Sequence, residues 1–409
     1  MQDIQNTYED LKSENRSIDM SRGKPCDEQL RLSEPMLSFP VSGDIFKTKH
    51  GVDTRNYGIL EGIDEARELM AELVGERFEN TLVIGSSSLT LEYDTIARYM
   101  QFGVCGEDPW DKNAKFICLV PGYDRHFDIC KHFGIQMISV QIDASEDQVI
   151  DEITSIVKTD CNVKGIWCVP QYSNPSGITF TNKFVKALAS METAAGDFRI
   201  FWDNAYCVHH LFEDPGKQAD LLPINIACEN AGNPDRYIQF WSTSKITFPG
   251  AGISALSASS KNLGDIKKSL KVQMIGSDKI NQLRHVHFLK DKRRTLQHMY
   301  KHAEILRPKF EVVTKTLATE LSGYDCVSWS NPQGGYFINF DSAPKTAKRI
   351  VELCEECGVK LTPAGSTWPN MSDVDDTNIR IAPSMPSIEE LKFATRVLAT
   401  STKIAIEEA

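Results

Sequence analysis

Tyr237-Ile238-Gln239-Phe240-Trp241-Ser242-Thr243-Ser244-Lys245 is an apolar run that stops at three small hydroxyl residues and a lysine. Aromatic and β-branched side chains suit a pleated strand, and so little polarity within it points to cover on both faces. Six other runs surround it: Thr81–Ile84, Phe116–Val120, Gln136–Ile142, Gly165–Val169, Arg199–Asp203 and Ser254–Ala258. Helix-like stretches fill the intervals. Ile63, Ala66, Leu69, Met70, Leu73 and Val74 recur at three- and four-residue spacing, which places one apolar stripe on a helix. Thr181 is placed to cap a second helix running to Thr193. Strand–helix alternation predicts an α/β domain with a mostly parallel sheet. In such sheets ligands collect at the carboxyl ends of the strands, so the chemistry is sought there.

Outside this block the reading is coarser. From Ser277, past Lys290, Arg293 and Arg294 towards Leu321, a basic stretch reads as one long, solvated connecting helix. Beyond it, Gly334-Gly335-Tyr336-Phe337-Ile338-Asn339-Phe340 gives another strand, and the remainder suggests a smaller α+β domain. The 409 residues carry a formal net charge of −11, which argues against a nucleic-acid partner. No apolar run is long enough for a membrane span, and Met1 to Met20 lacks the apolar core of a secretory signal. Most of the eleven cysteines lie within apolar runs such as Phe116-Ile117-Cys118-Leu119-Val120, which suits reduced thiols and a cytoplasmic location. The single Cys-x-x-Cys, Cys354 and Cys357, has no second pair and reads as packing rather than a metal site. No metal is expected.

Five elements at strand ends carry candidate chemistry. Lys245 follows a strand and precedes Phe248-Pro249-Gly250-Ala251-Gly252, a position where a lysine of lowered pKa can serve imine chemistry; a solvated charge is the bland reading. Asp203-Asn204-Ala205-Tyr206 ends the strand Arg199–Trp202. Asp203 is either a helix cap or a carboxylate able to keep a pyridine nitrogen protonated, with Tyr206 within reach of the ring. Pro170-Gln171-Tyr172-Ser173-Asn174-Pro175-Ser176-Gly177 is turn chemistry that can also aim the Asn174 amide at a ligand. Gly85-Ser86-Ser87-Ser88 opens a helix with small residues and free N–H groups, as an anion site does, without matching a nucleotide loop. Arg380, inside Asn378-Ile379-Arg380-Ile381-Ala382, is either internally paired or a fork for a carboxylate.

Taken in chain order, these motifs resemble those of fold-type I, pyridoxal 5′-phosphate (PLP)-dependent class I aminotransferases, closest to a bacterial aspartate aminotransferase subgroup with Asp-Asn-Ala-Tyr and Ser-Thr-Ser-Lys signatures. The resemblance runs over nearly the whole chain. It implies a large three-layer α/β/α PLP-binding domain at residues 51–300 with a mostly parallel mixed sheet, a smaller α+β domain at 301–409, and an arm at 1–50 that joins the smaller domain. Lys245 would carry the cofactor as a Schiff base and shuttle a proton, Asp203 would pair with the ring nitrogen, and Tyr206 and Asn174 would bond the ring's phenolic oxygen. Tyr123 matches the aromatic that stacks on the ring, and His126 matches a histidine behind the aspartate, with core packing as its alternative. Gly85, Ser86, Ser87, Ser88 and Ser242 match the phosphate site. Tyr57, in Asn56-Tyr57-Gly58, matches a tyrosine that reaches the neighbouring subunit's phosphate, which implies a homodimer. Gly23 resembles the glycine at the substrate mouth, and Arg380, with Asn174, would hold the substrate α-carboxylate.

One position departs from the pattern. An arginine is usual eight residues after the lysine, and here Ile253 stands there. The implied reaction is ping-pong amino transfer between L-aspartate and 2-oxoglutarate. A distal carboxylate needs a second cation, for which Arg22, Lys279 and Arg284 are available. Transfer from neutral or aromatic amino acids and a PLP-dependent β-lyase stay open as alternatives. A PLP-sensing regulatory module is the remote one, because no basic helix-turn-helix pattern precedes Tyr57.

Overall fold

The computed structural model describes residues 2–39, 44–142 and 145–409. In chain order its strands are β1 (Ile18–Asp19), β2 (Thr81–Val83), β3 (Lys115–Val120), β4 (Gln136–Gln141), β5 (Val163–Cys168), β6 (Arg199–Asp203), β7 (Tyr237–Ser242), β8 (Ser254–Ala258), β9 (Ser328–Trp329), β10 (Ile338–Asp341), β11 (Val359–Lys360) and β12 (Asn378–Ile381). The runs expected as strands between residues 81 and 258 are the seven strands of one sheet, ordered β2-β8-β7-β6-β5-β3-β4. β8 is antiparallel to both neighbours, and the remaining pairs are parallel.

Continuous apolarity has the expected cause. In β3, Phe116, Cys118 and Val120 pack into one core, with the helices Ser88–Phe102, Asp124–Phe133 and Ser260–Gln273. Ile117 and Leu119 face the opposite core, with the helices Glu146–Thr159, Asn182–Ser190 and Ile224–Asn230. Successive side chains of a strand point to opposite faces, so a sheet covered twice needs both sets apolar. The result is the three-layer α/β/α domain with a mostly parallel mixed sheet.

Two helix expectations need correction. Thr181 does cap its helix, its Oγ1 accepting from the Phe184 amide at 3.1 Å, but the helix ends at Ser190 because Met191 turns to an extended ψ of 142°. The basic stretch after Ser277 is two helices, Lys279–Leu289 and Lys292–Glu320, not one. Lys290 breaks it with a φ of 64°, and Asp291 starts the next helix by accepting from the Arg294 amide at 2.7 Å. Nor is the second helix a solvated connector: Met299, Leu306, Phe310, Val313 and Leu317 form a buried stripe along it.

That stripe helps build the smaller core. β9, β10 and β12 form an antiparallel sheet in the order β12-β10-β9, beside the helices Ala347–Glu356 and Ile388–Glu408. The first helix, Gln2–Ser13, joins this core through Tyr8 and Leu11, and the Tyr8 hydroxyl donates to the Leu353 carbonyl at 3.0 Å. β1 then pairs in parallel with β11. Gly358 allows the approach: its φ is left-handed at +75°, and a Cβ there would sit 1.8 Å from the Arg16 carbonyl oxygen. Cys354 and Cys357 are both buried in this core. Among the described residues, no helix is long and apolar enough to cross a membrane.

Candidate active site

A cavity of ≈ 780 Å³ lies between the carboxyl ends of β5, β6 and β7 and the smaller sheet. It is lined by Gly23, Ser87, Ser88, Tyr123, Asn174, Asp203, Tyr206, Ser242, Lys245 and Arg380. Residues separated by most of the chain are thus brought together. β6 ends at Asp203, the turn after β7 presents Lys245, and the loop after β5 presents Asn174. Gly85 and Ser86 stand just behind the lining, with Gly85 at a φ of +66° and the Ser86 carbonyl accepting from Ser244 Oγ at 3.4 Å. Ser242 Oγ in turn donates to Ser244 Oγ at 3.0 Å. Ser87 is the cap residue of the helix Ser88–Phe102, yet its hydroxyl makes no capping bond.

Lys245 Nζ lies 4.9 Å from the centre of the Tyr206 ring. Burial lowers its pKa, while the charges of Asp203 and Glu92 pull it back up. Burial likewise raises the phenols of Tyr206 and Tyr123, keeping both protonated as donors. Asp203 is buried, and its Oδ1 has no hydrogen-bond partner, an orphan acceptor inside a cavity. Its Oδ2 is 3.3 Å from His126 Nε2. The His126 ring is stacked on Trp167 at 4.2 Å with planes 8° apart, so packing and pairing with the aspartate both apply.

Arg380 lies in β12, buried over the Phe337 ring at 5.0 Å. Its Nη1 donates to Asn174 Oδ1 and to Asp124 Oδ1, each at 3.2 Å, and its Nε donates to Thr362 Oγ1 at 3.3 Å. Sequence reading left Asp124 and Thr362 out, because a contact spanning so much chain leaves no local signal.

Glu92 was missed as well. It is fully buried beside His126, with Oε2 at 3.4 Å from Nε2. The available signal was a carboxylate in register with Leu91, Thr95, Ile96 and Tyr99 on the buried face of its helix.

Other expected positions lie apart. Tyr57 is 81% exposed and is not among the residues lining this chain's cavity. Of the three cations considered for a distal carboxylate, Arg22 lines the cavity whereas Lys279 and Arg284 do not. Ile253 is buried in an apolar cluster with Val83, Trp241 and Ala255, so the departure at that position serves packing.

A mixed sheet presenting a buried lysine, an orphaned carboxylate and a paired arginine to one cavity defines an α/β enzyme class built to hold a charged organic group. The family model for aspartate amino-transferase matches residues 1–409. An aspartate aminotransferase of Corynebacterium glutamicum is 42% identical over 410 residues, covering 100% of this chain and 94% of that protein. A crystal structure of an aspartate transaminase from C. glutamicum is similar with a TM-score of 0.95 and 42% identity, covering 100% of this chain and 95% of the other. The α-aminoadipate aminotransferase of Thermus thermophilus, complexed with N-(5′-phosphopyridoxyl)-L-leucine, shares the fold at a TM-score of 0.75 and 19% identity, with 96% and 94% of the two chains covered. The chain belongs to the aspartate aminotransferase family and is an aminotransferase.

Proposed function

We propose that this aminotransferase uses PLP to move an amino group from L-aspartate to 2-oxoglutarate, giving oxaloacetate and L-glutamate. The observation that carries the reading is the convergence of Lys245, the orphaned Oδ1 of Asp203 and Arg380 on one cavity. These residues fit the cofactor, since a buried acceptor without a partner calls for a donor such as a protonated ring nitrogen. When bound, PLP supplies an electron sink for charge that develops at the substrate Cα.

The chain's own groups do the rest. Lys245, whose pKa burial lowers, would be the amine that holds the cofactor and the base that takes the substrate Cα proton and returns it. Asp203 Oδ1 would hold the ring-nitrogen proton, with His126 behind it. Tyr206 and Asn174 would donate to the ring's phenolic oxygen, and Tyr123 would pack against the ring. Gly85, Ser86, Ser87, Ser88 and Ser242 would hold the phosphate through hydroxyls and amides. Arg380 takes the substrate α-carboxylate with its fork, beside Asn174, and Gly23 shapes the entrance.

We also infer a homodimer in the cytoplasm, in which the exposed Tyr57 reaches the partner's phosphate site. In domain terms, residues 51–300 hold the cofactor, and 1–50 and 301–409 form the smaller unit that carries Arg380.

The test is spectroscopic. PLP-loaded protein should lose its visible cofactor absorbance with L-aspartate and recover it with 2-oxoglutarate. Absorbance that L-aspartate leaves unmoved overturns the aspartate reading, and absence of any visible cofactor band overturns the role of Lys245. Mixing Tyr57→Ala and Lys245→Ala proteins should restore activity through hybrid dimers, each with one intact site. Sedimentation as a monomer would overturn the shared-site reading.

A further inference from the structure

Glu92 enters the site from the helix Ser88–Phe102, whose opening turn was assigned only to anion binding. Neither of its carboxylate oxygens has a hydrogen-bond partner, although both are buried. An ionised carboxylate stripped of water in this way requires a nearby cation. The charged groups facing it are His126 from the helix Asp124–Phe133, Asp203 from β6, and Lys245 from the turn after β7. His126 Nε2 sits between the two carboxylates, 3.4 Å from Glu92 and 3.3 Å from Asp203. The three polar atoms lie within 4.8 Å of one another. Trp167 stacks on the imidazole and fixes its plane, the one that contains both Nε2 contacts.

Asp203 by itself suffices to pair with the histidine. A second buried carboxylate therefore needs its own reason. Charge balance supplies one. With a protonated ring on Oδ1 and a protonated His126 on Oδ2, Asp203 would face two cations, a net positive charge in a dry site. Glu92 brings that cluster to neutrality.

We propose that Glu92 is a positioning residue of the aminotransferase site, sharing the Nε2 proton of His126 with Asp203 and so keeping the histidine charged and Asp203 ionised towards the ring nitrogen. This deepens the PLP reading and rests on it. Electrostatics agree with the geometry. Burial and the Asp203 charge push Glu92 up to about 7. Burial alone would pull His126 down, but the Asp203 and Glu92 carboxylates beside it lift it to about 9.

The experiment follows the imidazole of His126 directly, by nitrogen NMR of protein labelled at histidine, with and without PLP. The resonance is assigned by its loss in His126→Asn. In Glu92→Gln the titration midpoint should fall by at least about one pH unit, as loss of one close buried charge requires. PLP affinity should weaken by about tenfold in the same variant, with KM for the amino donor within about twofold of wild type. Glu92→Asp, which keeps the charge, should recover part of both changes. A folded Glu92→Gln whose His126 titrates as in the wild type overturns the proposal. Should that variant not fold, Glu92→Ala, which also removes the charge, carries the same test, and an unchanged His126 midpoint there overturns the proposal equally. Wild-type protein that takes up no PLP overturns the functional reading beneath, a result separable because the imidazole titration without cofactor is read independently.

Discussion

Arg380 and Asp124 form an ion pair at 3.2 Å, joining β12 to the first turn of the helix Asp124–Phe133 across the cavity. The arginine assigned to the substrate carboxylate is therefore already engaged. Asp124 keeps a third of its side chain exposed, so solvent screens the pair and limits its worth to about 1 kcal/mol or less. An incoming carboxylate competes with it. Asp124→Asn should lower KM for the amino donor by up to about fivefold with kcat nearly unchanged, measured in steady-state assays. A higher KM would instead assign Asp124 to orienting the guanidinium.

Arg380→Lys separates charge from shape. The lysine retains a cation but loses the planar fork that bonds Thr362 through Nε while Nη1 meets Asn174 and Asp124. A loss of about 2–3 kcal/mol in charge-assisted bonding corresponds to a fall in kcat/KM of roughly 100-fold. A decrease of only a few-fold would reject bidentate recognition.

The buried carboxylate–imidazole cluster makes stability depend on pH. His126 holds its proton up to about 9 in the folded chain. The unfolded chain releases it near the ordinary histidine value of about 6.5. The folded state thus binds more protons across that interval, and stability must fall as pH rises through it. Glu92, pushed up to about 7, contributes in the same direction below neutrality. Urea midpoints of cofactor-free protein should decline from pH 7.5 to 9.5. His126→Asn should be destabilised at pH 7 by about 3–5 kcal/mol and lack that decline. Equal slopes in the two proteins would exclude His126 as its source.

Gly358→Ala should be costly for a different reason. The added methyl group meets the Arg16 carbonyl at 1.8 Å, and the backbone is already left-handed. Overpacking and an unfavourable φ together cost about 2–4 kcal/mol. Denaturant unfolding measures the loss. Protection of the Met20 amide, which donates to the Lys360 carbonyl at 2.8 Å, should fall with it in hydrogen exchange.

Much of this molecule can be read from its chain, for physical reasons that differ by region. β3, β6 and β7 are legible because a strand covered on both faces has no polar alternation to blur it. Asp203 and Lys245 are legible as candidates because strand ends in a parallel sheet are where ligands bind. The break at Lys290 is not, since neither glycine nor proline marks it, and the Asp291 cap is one polar residue among many. Glu92 stands out only once its helix face is known to be buried. Contacts such as Arg380 with Asp124 belong to the tertiary structure and have no local pattern at all.

The pairing of β1 with β11, and of the first helix with the last, has a consequence for synthesis. Tyr8 and Leu11 share a core with Leu353, Leu391, Val397 and Ile404. During translation Tyr8 emerges 345 residues ahead of Leu353, whose carbonyl it bonds. The apolar residues of the opening segment stay uncovered while the whole seven-stranded domain can already assemble behind them. Closure of the smaller domain therefore waits for the helix Ile388–Glu408, and the cavity wall that carries Arg380 is completed only then.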